Sequence, residues 1–179
     1  TPTPTATPMP DNLSFDTNLA LMRPVRSSEY MIANATYAVD GYYRDEVVTD
    51  TYYNAWIPHP LFGCWMEVDL GNVFNLYEVD LYPCIKDLNN WFCSLLIFSS
   101  TTGEFCGEET FIADMKSYSL IPLDGRFPIK YLFPPRPARY IRVVNNFNST
   151  AVFSEIMAFA TFDGADPTII PSPTPSPTP

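Results

Sequence analysis

Positive charge is scarce in this 179-residue chain: ten Lys and Arg stand against 20 Asp and Glu, for a net charge of −10. The ten are scattered, which excludes a nucleic-acid interface and an anionic membrane surface, because both need a concentrated basic patch. Long apolar runs are missing too. The longest, Ser94-Leu95-Leu96-Ile97-Phe98-Ser99, falls far below the roughly 20 residues of a spanning helix, so no membrane insertion is expected. No charged-then-apolar leader opens the sequence, and no signal peptide is read in it. Histidine occurs once, as His59 between Pro58 and Pro60, and no Cys-x-x-Cys pair exists, so a structural zinc site is not expected. There is no nucleophile elbow and no glycine-rich phosphate loop. The adjacent acids Asp45-Glu46 and Glu108-Glu109 look no different from solvated loop carboxylates. The chain is expected not to be an enzyme.

Proline, by contrast, is concentrated. Residues 1–10 and 167–179 are nearly pure Thr/Ser-Pro repeats and cannot bury a core. They read as extended polyproline-II-like linkers flanking one globular domain over residues 11–166, rising about 3.1 Å per residue. A chain that starts and stops inside such repeats reads as a segment of a longer polypeptide or a processed product. The repeats offer O-glycosylation candidates at Thr1, Thr3, Thr5, Thr7, Ser172, Thr174, Ser176 and Thr178. Three N-x-S/T sequons start at Asn12, Asn34 and Asn148. The four cysteines, Cys64, Cys84, Cys93 and Cys106, fit two disulfides with three connectivities. The short Cys84–Cys93 connection favours that pair, with Cys64–Cys106 as the other. Together these features point to an extracellular, secreted or cell-surface glycoprotein.

Within the body, alternation dominates. Residues 64–70 alternate apolar and polar side chains and stop at Gly71-Asn72, and residues 76–82 alternate again and stop at Pro83. Residues 92–99 form a continuous apolar run, followed by strand patterns at 110–113, 118–122, 138–145 and 153–162. Pro134, Pro135 and Pro137 fall between apolar runs, where proline breaks no ladder. No sustained 3.6-residue stripe is present. The expectation is an all-β antiparallel sandwich with at most a helical turn or two.

Four segments in order carry a family resemblance. They are Asn18-Leu-Ala-Leu-Met-Arg-Pro24 with Ser27-Ser28, Ala38-Val39-Asp40-Gly41, Trp65-Met-Glu-Val-Asp-Leu-Gly71, and Ala138-Arg-Tyr-Ile-Arg-Val143 followed by Ser154-Glu155-Ile156. Across about residues 12–162 the chain resembles the discoidin family, also called coagulation factor 5/8 type C domains, and especially its fucolectin-type lectins. The resemblance implies an eight-stranded jelly-roll β-sandwich. Trp65, Val68 and Leu70 would anchor one core strand, with Glu67 and Asp69 facing outward or paired, and Tyr140, Ile141 and Val143 would form a second.

The resemblance also implies a structural calcium ion. By position it would be held by Asp40 and Glu155 with carbonyls of Tyr37, Tyr42 and Ser154, stabilising residues 37–55. The alternative is that Asp40 caps its own turn before Gly41 and Glu155 makes a salt bridge. The fucose-binding set of a loop His and two Arg has no match here: His59 is displaced, residues 82–84 read Tyr-Pro-Cys, and the next loop offers only Lys86. Tyr42, Tyr43, Tyr52, Tyr53, Trp56 and Trp91 are expected in loops, where they would stack on a sugar or fill an interface. Two functions follow. One is a structural or adhesive module that contacts neighbouring copies of its assembly through aromatic loops. The other is a carbohydrate-binding module not of the fucose type.

Overall fold

The computed structural model describes residues 17–28, 31–42, 56–58, 63–83, 95–114, 128–146 and 153–161. Eight strands are assigned there: β1 (Val25–Ser27), β2 (Met31–Ala33), β3 (Ile57–Pro58), β4 (Trp65–Pro83), β5 (Leu95–Ser100), β6 (Thr110–Asp114), β7 (Ile129–Asn145) and β8 (Phe153–Thr161). A five-residue 3-10 helix, Ala35–Val39, lies between β2 and β3. Both predicted linkers, the domain limits at 11 and 166, and the predicted strand at 118–122 lie outside the described residues.

Every pairing is antiparallel. Two long strands, β4 and β7, each serve two layers. The first half of β4 lies between β1 (Val25↔Val68) and the last half of β7 (Val68↔Ile141), and β5 and β6 continue that layer. The second half of β4 lies between the first half of β7 (Val79↔Tyr131) and β8 (Val79↔Ala158). The result is a five-stranded and a three-stranded layer closed on one core. It is an all-β sandwich of the expected jelly-roll kind, with β2 and β3 forming a separate small ladder.

The crossing point differs from the sequence expectation. Residues 64–70 and 76–82 were expected as two strands separated at Gly71-Asn72, yet they belong to one ladder with a register shift between Asp69 and Phe74. Gly71 takes the shift at φ 87, in the left-handed region that side chains with a Cβ disfavour. Its N–H donates to Asp69 Oδ1 at 2.8 Å. Prolines 134, 135 and 137 likewise sit inside β7 rather than between strands, with Pro137 opposite Asn75. They are tolerated because they occupy the irregular corner, where the ladder has already lost register.

Strand parity corrects two core assignments. Met66, Val68 and Leu70 are fully buried, whereas Trp65 shares the opposite face with Glu67 and Asp69. A period of two cannot put Trp65 on the same side as Val68. Tyr140 is outward for the same reason, beside the buried Ile141 and Val143.

The outward face of the five-stranded layer carries one row in register: Arg26, Glu67, Arg142, Phe98 and Phe111. Glu67 is buried at 1% exposure and bonded by both Arg26 and Arg142. Arg142 lies between the rings of Trp65 (4.3 Å) and Phe105 (3.7 Å). Asp69 takes two hydrogen bonds from Arg139, at 2.8 and 3.0 Å. The expectation that Glu67 and Asp69 face outward or pair therefore resolves as pairing.

Strand ends gather at one pole. Trp65, Asn145, Leu95 and Asp114 meet there in the five-stranded layer, and Pro83, Ile129 and Phe153 in the three-stranded one. The bends of β4 and β7 form the opposite pole, where Thr161 pairs with Asn75. Nearby, Leu19 N–H donates to Ala158 O at 2.9 Å, and Asn18 Oδ1 accepts from Ala158 N–H at 3.1 Å. The two ends of the described chain thus run beside the same strand.

Candidate functional site

The candidate site lies at the head of β8. The 3-10 helix packs on β8 and ends at Asp40, so the Asp40-Gly41-Tyr42 turn reaches Glu155. Gly41 N–H donates to Glu155 Oε2 at 3.2 Å, and Tyr42 N–H donates to Asp40 Oδ1 at 2.9 Å. The Asp40 cap foreseen as the alternative to a metal role is therefore formed. The salt bridge foreseen for Glu155 is not found among the described residues. Glu155 is fully buried, and its Oε1 has no hydrogen-bond partner. Burial pushes its carboxyl up to about 8, and the charge of Asp40 adds to that rise. Burial also raises Asp40, against the hydrogen bond from Tyr42.

This arrangement fits the cation that the family resemblance implies. A buried carboxylate oxygen lacks a partner, and a second carboxylate stands beside it in a fold position fixed by backbone hydrogen bonds. Two acids are not a full shell. Among the described residues no group of three or more His, Cys, Asp or Glu converges, so main-chain oxygens would supply the rest. Of the carbonyl donors expected, Tyr42 and Ser154 are chain neighbours of the two acids. Ser154 commits its hydroxyl to Tyr82 O at 3.3 Å. Tyr37 lies within the 3-10 helix, its N–H bonded to Asn34 O.

The expected aromatic loops are mostly outside the described residues: Tyr43, Tyr52, Tyr53 and Trp91 all lie there. Tyr42 is exposed at 68%, close to Leu21 (47%) and Met22 (73%), whose backbone joins Val39 through a 2.6 Å hydrogen bond. Gly41 stands within reach of the Leu21 side chain. Trp56 is corrected from a loop platform to a core residue. It is fully buried, pairs with Phe153 along the backbone, and packs its ring 5.3 Å from the Phe153 ring.

The disulfide expectation is also corrected in part. Cys64 and Cys106 are free thiols. Cys64 has the inward parity of Met66 and is buried. Cys106 is exposed on the loop whose Phe105 covers the outward Arg142, so the sheet stands between them. Cys84 and Cys93 lie outside the described residues, as do Asn12, Asn148 and every O-glycosylation candidate. Asn34 is exposed.

One cluster was missed by sequence reasoning. On the outward face of the three-stranded layer, Lys130 Nζ donates to Glu78 Oε1 (2.5 Å) and Asp80 Oδ2 (2.9 Å). Asp80 is 2% exposed and its Oδ1 has no partner. Burial pushes it up to about 6; the Lys130 bond opposes this and Glu78 adds to it. The signal was present in the sequence: Glu-Val-Asp-Leu occurs twice, at 67–70 and 78–81. Each copy puts two acids on an outward face opposite basic residues of β7.

No family model and no curated protein matches this chain. Solved structures do. The lectin domain of lectinolysin, complexed with Lewis b antigen, aligns at TM-score 0.62 and 20% identity over 83% of this chain and all of that one. A fucolectin from striped bass (Morone saxatilis) serum aligns at TM-score 0.66 and 16% identity, over 82% of this chain and 48% of its own. Chitosan-binding module 1 of a chitosanase/glucanase from Paenibacillus sp. IK-5 aligns at TM-score 0.58 and 17% identity, over 80% and 99%. These likenesses, all at 20% identity or below, agree with the β-sandwich fold. The fold of this chain is the discoidin-type, galactose-binding-like β-sandwich.

Proposed function

We propose that this chain is a non-catalytic, extracellular carbohydrate-binding module, with a calcium ion held by Asp40 and Glu155 fixing the loop over residues 37–55. The observation that carries it is the buried, unpartnered Glu155 Oε1 beside Asp40, at the pole where the strand ends gather. Support comes from structural neighbours that bind Lewis b antigen and chitosan by their own descriptions. The ion would supply positive charge beside the buried Glu155 carboxyl and the partly exposed Asp40. The chain's own residues hold the turn: Gly41 N–H orients Glu155, and Asp40 fixes Tyr42. The module is not of the fucose type, because the His and Arg pattern is missing from its sequence.

The test is a glycan array with and without calcium, paired with calorimetry of calcium binding. Asp40→Asn is expected to weaken calcium at least about tenfold, which is about 1.4 kcal/mol. Glu155→Gln is expected to abolish the calcium-dependent rise in Tm. In chelator it should leave Tm equal or higher, because a neutral amide replaces a buried acid. No glycan retained and no Tm change on adding calcium would overturn both parts.

A second reading, contact between neighbouring modules, is favoured by the exposed Leu21, Met22 and Tyr42. Under it the chain self-associates in sedimentation, and Met22→Asp with Tyr42→Ser returns it to monomer. A monomer at all concentrations would remove this reading.

A further inference from the structure

We propose that Asn34 carries an N-linked oligosaccharide, which would stand at the rim of the pole holding Asp40 and Glu155. The proposal rests on the extracellular part of the reading above. Asn34 and Thr36 are both exposed, while Ala35 between them is buried at 2% and anchors the segment to the core. The acceptor residues therefore point to solvent on a fixed base. Asn34 is extended, at φ −67 and ψ 132. Its Oδ1 accepts from Thr36 N–H at 3.1 Å, and among the described residues its Nδ2 makes no hydrogen bond. A sugar on Nδ2 leaves the Oδ1 bond in place, so the fold accommodates the modified residue without losing a contact.

The chemistry balances with one co-reactant, an oligosaccharide activated as a glycosyl diphosphate. The Asn34 Nδ2–C1 bond forms as the C1–O bond to the diphosphate breaks. The leaving diphosphate keeps the bonding pair, and the amide gives up one proton, with no change in oxidation state. Six residue steps of about 2 Å each separate Asn34 from Asp40 along the 3-10 helix, so the sugar would start about 12 Å from Asp40.

The test uses the full chain secreted from a eukaryotic host, with peptides treated by peptide:N-glycosidase in heavy-oxygen water. A glycosylated Asn34 becomes heavy-labelled Asp. Label is expected at 34 in the parent and in Thr36→Ser, and is expected to vanish in Thr36→Ala, where the Asn34 side chain is untouched. Asn34→Asp, which keeps the Oδ1 acceptor, is expected to fold with unchanged Tm in unglycosylated protein. Label at Asn12 or Asn148 but not at Asn34 would overturn this assignment and leave the extracellular reading standing. No label at any of the three would overturn both, while the glycan array tests sugar binding separately.

Discussion

Glu67 and Asp80 are the most deeply buried acids of the two Glu-Val-Asp-Leu segments, but they are neutralised unequally. Glu67 has two guanidiniums, while Asp80 shares one lysine with Glu78 and keeps an unpartnered oxygen. Removing Arg142 leaves the buried Glu67 carboxylate with Arg26 alone and strips the Trp65 and Phe105 rings of their cation. Arg142→Met is expected to cost about 2 kcal/mol in urea unfolding, because its hydrogen bonds to a charged group are lost while Arg26 stays in place. The double variant with Glu67→Gln is expected to cost less than Arg142→Met alone; simple additivity would show that the pair is not coupled. For Asp80 the sign runs the other way from an ordinary ion-paired acid. Its folded value, about 6, lies above its unfolded 3.8, so the folded state binds the extra proton. Stability contributed by that proton is present below 3.8 and is lost as pH rises through 6. Asp80→Asn is therefore expected to flatten the fall in Tm between pH 4 and 7. An unchanged slope in that variant would mean the titrating group lies elsewhere.

At the level of elements, the alternation of residues 64–70, 76–82 and 138–145 was readable because sheet periodicity needs only local side-chain order. What could not be read was continuity. Gly71 and the prolines of β7 look like strand ends in one dimension, and only their pairing across the corner makes them part of a ladder. The outward face was hidden for a related reason. Trp65 is an apolar residue whose partner, Arg142, is 77 residues away, so composition assigned it to the core. The Asp40 and Glu155 pair became legible through the family resemblance; the orphan oxygen that gives it physical weight did not. Tertiary contact also governs the β5–β6 connection. Glu108 Oε1 accepts from Ser100, Thr102 and Phe105, which holds the Phe105 ring on Arg142. Gly103 in that connection has φ 78, and a Cβ there would come 3.0 Å from the Tyr140 ring. Gly103→Ala is expected to cost about 1–3 kcal/mol, by strain plus displacement of Tyr140. A loss below about 0.5 kcal/mol would show that the connection shifts freely.

For the whole molecule, the closeness of residues 18 and 158 gives a topological test. A circular permutant that joins 17 to 161 through about six flexible residues and opens at Gly107 is expected to unfold cooperatively. Its Tm should fall within about 10 °C of the parent; a molten product would mean the β5–β6 connection is needed to start folding. The same closeness has a mechanical consequence. The two attachment points, at residues 17 and 161, sit beside one strand, so a line drawn through them passes along one side of the body. When tension runs through the flanking segments, the sandwich swings to the side like a pendant, with the loop-bearing pole turned away from the taut line. Force then reaches the body at the Leu19–Ala158 contact and the end of β8, one hydrogen bond at a time. Such a module yields early to a steady pull, yet it presents the pole of its gathered strand ends outward for as long as the line holds.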